Sequence, residues 1–277
     1  MILAFNANVD GVLLACSYFR KHPGAELISA KNQDELDQKL GFSFSEGEVK
    51  RLGFTPCGSI EALSKEIFGK RKARMARFDP NPLRYLDLLL RHRNCDPVEL
   101  VHLIISCNGD TDQLYSGKGK LAKKYYNYMR DVSRAYERLC MFSRPEFKGG
   151  ILSVEIDSPH NIGDLFCRWL SRKNPDVPVA VIVKTNAWVG NGDLLGLDRF
   201  SKLTAAFVES LRSTSEDDEV DGLWDIYYDS QMIDSRRNIG LAKKMQPKFS
   251  ASMSKMAKKD RYKVERGIAS CRLDSFA

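Results

Sequence analysis

The chain has 277 residues, 43% of them hydrophobic and 29% charged, with a net charge of +7 and an isoelectric point near 9.0. That composition suits a globular protein with one large core or two modest ones, and it excludes a disordered or fibrous chain. With no apolar run near 18 residues and no signal-peptide pattern, a cytoplasmic protein is expected.

The opening "MILAFNANVDGVLLACSYFRKHPG" reads as an apolar strand, a turn through Asn6 to Asp10, and a helix that stops before Pro23 and Gly24. The following "AELISAKNQDELDQKLGFSFSEGEVKRLGFTPCG" breaks into short Gly-bounded pieces and is expected to be loop-rich, with one or two strands. Three short helices are expected between Ser59 and Tyr115. Pro82 and Pro97 stand where a helix begins, with Asp96 as an N-cap for the latter.

"GKGKLAKKYYNYMRDVSRAYERLCMF" carries the cleanest period in the chain. Leu121, Tyr125, Tyr128, Val132, Ala135 or Tyr136, and Leu139 form an apolar stripe that predicts an amphipathic helix of about five to six turns. Off that stripe Lys123, Asn127, Arg130, Arg134 and Arg138 recur at three- or four-residue steps, placing them on one outward ridge. A cationic ridge beside tyrosines fits a phosphate backbone with a base stacked on a ring; the plainer alternative is a solvated face partly offset by Asp131 and Glu137.

Past this helix the period changes. "GGILSVEID" is a strand behind a Gly-Gly turn, "VPVAVIVKTNAW" a second one, and the segment between them a helix with Ile162, Leu165, Phe166, Trp169 and Leu170 on one side. The two strands are parallel if they are direct neighbours. "LDRFSKLTAAFVESLR" reads as another helix, followed by an acidic linker near 213–222. The predicted fold is α+β: a small central sheet flanked by helices, as a single domain over 1–256 with a basic extension over 257–277.

His160, in "IDSPHNIG", follows a strand and precedes a helix, a position that suits a titrating acid or base or an anion at a helix start. Glu155 and Asp157 alternate along the preceding strand and are the carboxylates expected to work with it; otherwise they are ordinary solvent-facing positions, with Ser158 or Asn161 capping the helix. The seven cysteines show no two-residue spacing, so no metal or cluster is expected, and their odd number fits a reducing compartment. Phosphate-binding glycine loops, the dinucleotide fingerprint, the nucleophile elbow and the paired-histidine zinc helix are all missing from the sequence.

Between Arg236 and Arg272 stand twelve cations and two carboxylates, a net of +10, which leaves −3 for everything else in a chain of +7. Leu241, Met245, Phe249, Met253 and Met256 are spaced as one helical face, and Pro247 divides the stretch in two. An anionic partner is expected for it.

"GLWDIYYDSQMIDSRRNIGLAKKMQPKFSASMSK" resembles the C-terminal signature of domain-of-unknown-function family 4130, described as probable DNA metabolism proteins. The matching places are Trp224, Tyr227, Tyr228, Ile233, Arg236, Asn238, Pro247, Lys248 and Phe249. Glu137, Met141, Phe142 and Arg144 match a basic helix running into a strand; Ile156, His160 and Asn161 match a conserved-looking turn; Phe5, Gly11 and Leu14 match the opening. Pro159 stands where the family has an acidic residue, and "VKTNAW" lacks its Asp and Arg.

The resemblance implies a DNA-binding component of repair or modification beside a radical-SAM partner, with no cofactor of its own. Arg130, Arg134, Arg144, Arg236, Arg237 and Lys248 are then expected on phosphates, and Lys123, Arg138, Asn161 and Asn238 beside them. Two other readings stand: an enzyme acting on a nucleotide or base through His160, and an adaptor for an acidic protein.

Overall fold

The computed structural model describes residues 1–41, 48–55, 59–69, 81–143 and 145–212, with only the backbone at 148, 211 and 212. The expected linker at 213–222, the domain boundary at 256, and Arg144, Arg236, Arg237, Asn238 and Lys248 lie outside the described residues. The chain divides into two compact units, Met1–Ser133 and Arg134–Ala277. Each carries its own sheet, so the strands form two sheets where one central sheet was expected. The α+β class is as expected.

In the first unit β1 (Ile2–Asn6) is followed by α1 (Val9–Lys21), β2 (Glu26–Ala30), α2 (Gln33–Leu40) and β3 (Val49–Leu52). The sheet order is β2-β1-β3, with β1 parallel to both neighbours. Residues Ile2 to Phe5 are all buried, because alternate side chains enter two different clusters. Leu3 and Phe5 meet α1, while Ile2 and Ala4 meet Leu36 and Leu40 of α2.

Among the described residues four helices then follow where three were expected: α3 (Ile60–Phe68), α4 (Pro82–Leu90), α5 (Pro97–Ser106) and α6 (Thr111–Ser116). Pro82 and Pro97 occupy the first helical turns as predicted, and the Asp96 carboxylate accepts from the Val98 and Glu99 amides at 2.9 and 3.4 Å. The long helix α7 (Lys120–Phe142) follows its predicted stripe. Tyr125, Val132, Ala135 and Leu139 are buried together with Ala122 and Met129. Its start is tied to α5: Lys124 pairs with Glu99, and the Tyr125 hydroxyl lies 2.8 Å from the Asp96 carbonyl and 2.9 Å from the Glu99 carboxylate.

The second unit holds β4 (Glu146–Lys148), β5 (Ile151–Glu155), α8 (Gly163–Lys173), β6 (Val179–Val183), β7 (Asn186–Gly190), a 3-10 turn (Gly192–Leu195), β8 (Phe200–Thr204) and α9 (Ala205–Arg212). The five strands lie in sequence order. Among the described residues of this unit only the β5–β6 pair is parallel, with α8 as its crossover, which meets the strand-helix-strand expectation. Gly149 and Gly150, both at positive φ (59° and 73°), form the two-residue turn that lets β4 pair back on β5.

Two expectations are corrected here. "VPVAVIVKTNAW" is two strands, because Lys184 turns the chain at φ 55°. "LDRFSKLTAAFVESLR" is half strand: its first part pairs with β7 as the outer strand β8, and only Ala205 onward is helical. Register sorts the side chains by face. Ala187, Val189 and Leu203 join Ile151, Ala180, Ile182 and Val208 of α9, while Trp188, Phe200 and Lys202 share the opposite face, on which α8 packs over β6 and β7.

Candidate nucleic-acid interface

The outward ridge of α7 is realised. At 100° per residue the five polar positions fall opposite the buried stripe, and Lys123, Asn127 and Arg134 are exposed while Arg130 and Arg138 are half-buried. The Arg130 guanidinium sits 5.7 Å from the Tyr126 ring centroid. Among the described residues, none of Lys123, Arg130, Arg134 and Arg138 has a carboxylate within 4 Å. Asp131 and Glu137 are exposed on the same helix, and Glu99 of α5 is taken by Lys124, whose ammonium and the Tyr125 hydroxyl hold its carboxyl below the usual carboxylate range.

In the second unit the loop 156–162 leaves the end of β5 and enters α8. Ile156 closes the sheet by donating its amide to the Ile182 carbonyl at 2.9 Å, and Glu155 and Asp157 on either side of it are exposed. The strand ends at Glu155, so Asp157 belongs to the loop; the register with Ile182 puts Glu155 on the α9 side of the sheet. His160 is half-buried and Asn161 exposed.

Neither Ser158 nor Asn161 caps α8. Ile162 occupies the cap position without a side-chain bond, and the Ser158 hydroxyl instead accepts from the His160 amide at 3.1 Å, folding the loop on itself. In chain order His160 thus follows the two exposed carboxylates and precedes the helix start. Among the described residues no three His, Cys, Asp or Glu side chains gather as a metal ion would require.

The first turn of α8 is pressed against the sheet at Gly163, where a Cβ would stand 2.7 Å from Val183 Cγ2 and 3.0 Å from Trp188 Cδ1. One turn on, buried Cys167 donates its thiol to the Trp188 carbonyl at 3.3 Å, and burial pushes that thiol up to about 12. At the far end Gly190 gives way to Ser171, and Asn191 extends its amide to the carbonyls of Ser171, Asn174 and Val177 at 3.2, 2.8 and 2.9 Å. The helix is thereby fastened to β7 along its whole length.

That fastening brings together four residues that sequence reasoning missed. Trp188 and Phe200 stack with ring centroids 5.4 Å apart and planes at 18°. Arg168 Cζ lies 3.8 Å from the Phe200 centroid, and Lys202 Nζ lies 5.6 Å from that of Trp188. The signal available in sequence was the alternation Phe200, Lys202, Thr204. It is short, and a helical reading of the same stretch hid it.

No curated protein matches the chain. Among solved structures it is similar to one titled "pGpG-specific phosphodiesterase - PggH from Vibrio cholrae", at 10% identity over 77% of this chain and 96% of that one, with a TM-score of 0.42. At that score the likeness bears on neither fold nor function. The family described as Domain of unknown function (DUF4130) matches residues 100–252, more than half of the chain, from within α5 through α7, the five-stranded sheet and beyond. The chain belongs to that family.

Proposed function

We propose that the chain is a nucleic-acid-binding component of a DNA repair or modification system, acting beside a radical-SAM protein. The observation that carries the binding reading is the ridge of α7, four cations opposite a buried stripe with no carboxylate on them among the described residues. Asp131 and Glu137 stand three residues either side of Arg134 and offset part of the charge, yet neither closes an ion pair with the ridge among the described residues. A line of cations not closed into ion pairs matches a line of phosphates, and counterions released on contact drive the binding. The +10 stretch at 236–272 supports the same partner from sequence. The repair context and the radical-SAM partner rest on the family resemblance.

The test is fluorescence polarisation of labelled single-stranded and duplex DNA of one sequence between 50 and 200 mM salt. Four phosphate contacts at roughly −0.9 each give a slope near −3.6, hence an affinity that falls on the order of 100-fold over that range. Arg134→Gln with Arg138→Gln halves the slope. Failure of the wild-type chain to bind either form at low salt overturns the proposal. Co-purification with the radical-SAM protein tests the partner separately.

A second reading is favoured by the loop 156–162, which stands at the carboxyl end of the parallel β5–β6 pair, where α/β sheets collect ligands. There His160, with Asp157 or Glu155, acts as acid or base on a nucleotide or DNA base. Loss of turnover in His160→Ala with DNA binding intact supports this second reading; unchanged turnover removes it.

A further inference from the structure

We infer that the α8-side face of the β7–β8 edge is a stacking surface for the unpaired bases of a single strand, with Trp188 and Phe200 as the rings and Arg168 and Lys202 as the cations. The inference rests on the nucleic-acid reading above and names the strand form and the surface that would recognise it. It uses residues distinct from the α7 ridge.

Three features converge. Among the described residues β8 is the outer strand of the sheet, and α8 packs over β6 and β7, so Phe200, Lys202 and Thr204 line the margin of the α8 face. At such a margin polar side chains are the norm, yet Trp188 and Phe200 stand there half-buried and nearly parallel. Each ring also carries a cation, and neither Arg168 nor Lys202, both exposed, has a carboxylate within 4 Å among the described residues. Asp164 lies one turn before Arg168 on α8, and Glu155 faces the other side of the sheet.

The combination selects the occupant. An acidic peptide would use the two cations but has no flat π-surface for the rings. A duplex offers phosphates but keeps its base faces stacked inside. An unpaired strand presents both at once, and its bases stack on aromatic rings and on guanidinium planes. The Lys202 ammonium, 5.6 Å from the indole centroid, is near the outer limit of a cation–π contact. A base laid on Trp188 replaces that contact and turns Lys202 toward the adjoining phosphate.

The experiment uses the full chain with a labelled oligothymidylate and a duplex of equal length. Trp188→Leu is expected to weaken oligothymidylate binding on the order of ten-fold while leaving the duplex within about two-fold, and Trp188→Phe to recover most of the loss. Arg168→Gln with Lys202→Gln should flatten the single-strand salt slope by about 1.4, at roughly 0.7 per contact. Both are exposed side chains, so this pair reports on the surface even if Trp188→Leu does not fold, which a thermal melt reveals.

Equal losses for both DNA forms, or no loss together with an unchanged slope, overturn the stacking surface while leaving DNA binding in place. If wild type binds neither form, the proposed function falls and this inference with it. If the variants spare DNA and abolish only capture of a protein, the face is a protein-docking surface and the inference is wrong.

Discussion

Replacing Asn191 by alanine removes the amide that ties the last turn of α8 to the end of β7. Two amide hydrogens serve three carbonyls, of Asn174, Val177 and Ser171, at 2.8, 2.9 and 3.2 Å, and the residue sits in the left-handed region at φ 55°, ψ 36°. The hydrogen bonds contribute about 1–3 kcal/mol net, taking about 0.5–1.5 for each of two hydrogens. Alanine at positive φ adds roughly 1–2 kcal/mol that asparagine largely escapes. The two together predict a destabilisation of about 2–5 kcal/mol.

Asn191→Gly separates the two contributions, since glycine loses the same bonds but accepts the backbone. It should therefore be the milder variant, by roughly 1 kcal/mol. Asn191→Asp keeps the shape but points oxygen lone pairs at three carbonyl oxygens; it should be worse than glycine at neutral pH and recover in part in acid, its carboxyl protonating above the ordinary carboxylate range because the facing carbonyls disfavour its charge. Urea unfolding followed by tryptophan emission reads these differences, because Trp169 and Trp188 both belong to this unit. A glycine variant within about 0.5 kcal/mol of wild type would show that the carbonyl clamp contributes nothing beyond the ordinary error of such comparisons.

Gly163→Ala sets helix propensity, worth up to about 1 kcal/mol, against overpacking on Val183 and Trp188, which costs about 1–3 kcal/mol; net destabilisation with an altered tryptophan emission maximum is expected. Glu99→Gln tests the tie between α5 and α7. The folded carboxyl is held low, first by Lys124 and then by Tyr125, so its stabilising effect is present above the unfolded value of about 4.3 and is lost as pH falls through the folded one. The stability gap between wild type and variant should accordingly close in acid, and a gap that widens there would contradict the geometry. Cys16 and Cys167, both buried with thiols pushed up to about 12, should resist thiol reagents at pH 8 until urea unfolds the chain, read by mass after timed labelling.

What was legible in the sequence was local. The α7 stripe repeats over six turns, enough for its period to outweigh any tertiary influence, and Pro82 and Pro97 announce their helices by chemistry alone. The opening also reads correctly, and its Gly11 has a physical reason: a Cβ there would stand 2.0 Å from the Asn6 carbonyl. By contrast α2 buries only Leu36 and Leu40, too few apolar positions to show a period. Its usable signal was the cap, where Asn32 accepts from the Glu35 amide at 2.8 Å and Glu35 reaches back to the Lys31 amide at 3.0 Å.

β8 was illegible for another reason. Leu203 and Phe207 stand four apart, as on a helix, and only pairing with β7 settles the stretch as a strand followed by a helix. The aromatic cluster depends on the same pairing. Arg168, Trp188 and Phe200 are separated by 20 and 12 residues, and no period links a helix, a central strand and an outer strand before the register exists.

The two proposed surfaces do different thermodynamic work, which is why both are needed. Cations on α7 attract any phosphate chain, and their contribution fades with salt for single strands and duplexes alike. Rings cannot add to long-range attraction, but their contribution is nearly independent of salt and reaches only bases that are already unpaired. Affinity should therefore follow the ridge, while the ratio of single-strand to duplex binding follows Trp188 and Phe200. At rising salt that ratio should grow, because the shared electrostatic part shrinks, more steeply for the duplex, while the stacking part stays. A ratio that has the same value and the same rise with salt in wild type and in Trp188→Leu would mean that charge density alone tells the two forms apart, and that the stacked pair at the sheet edge does no more than pack.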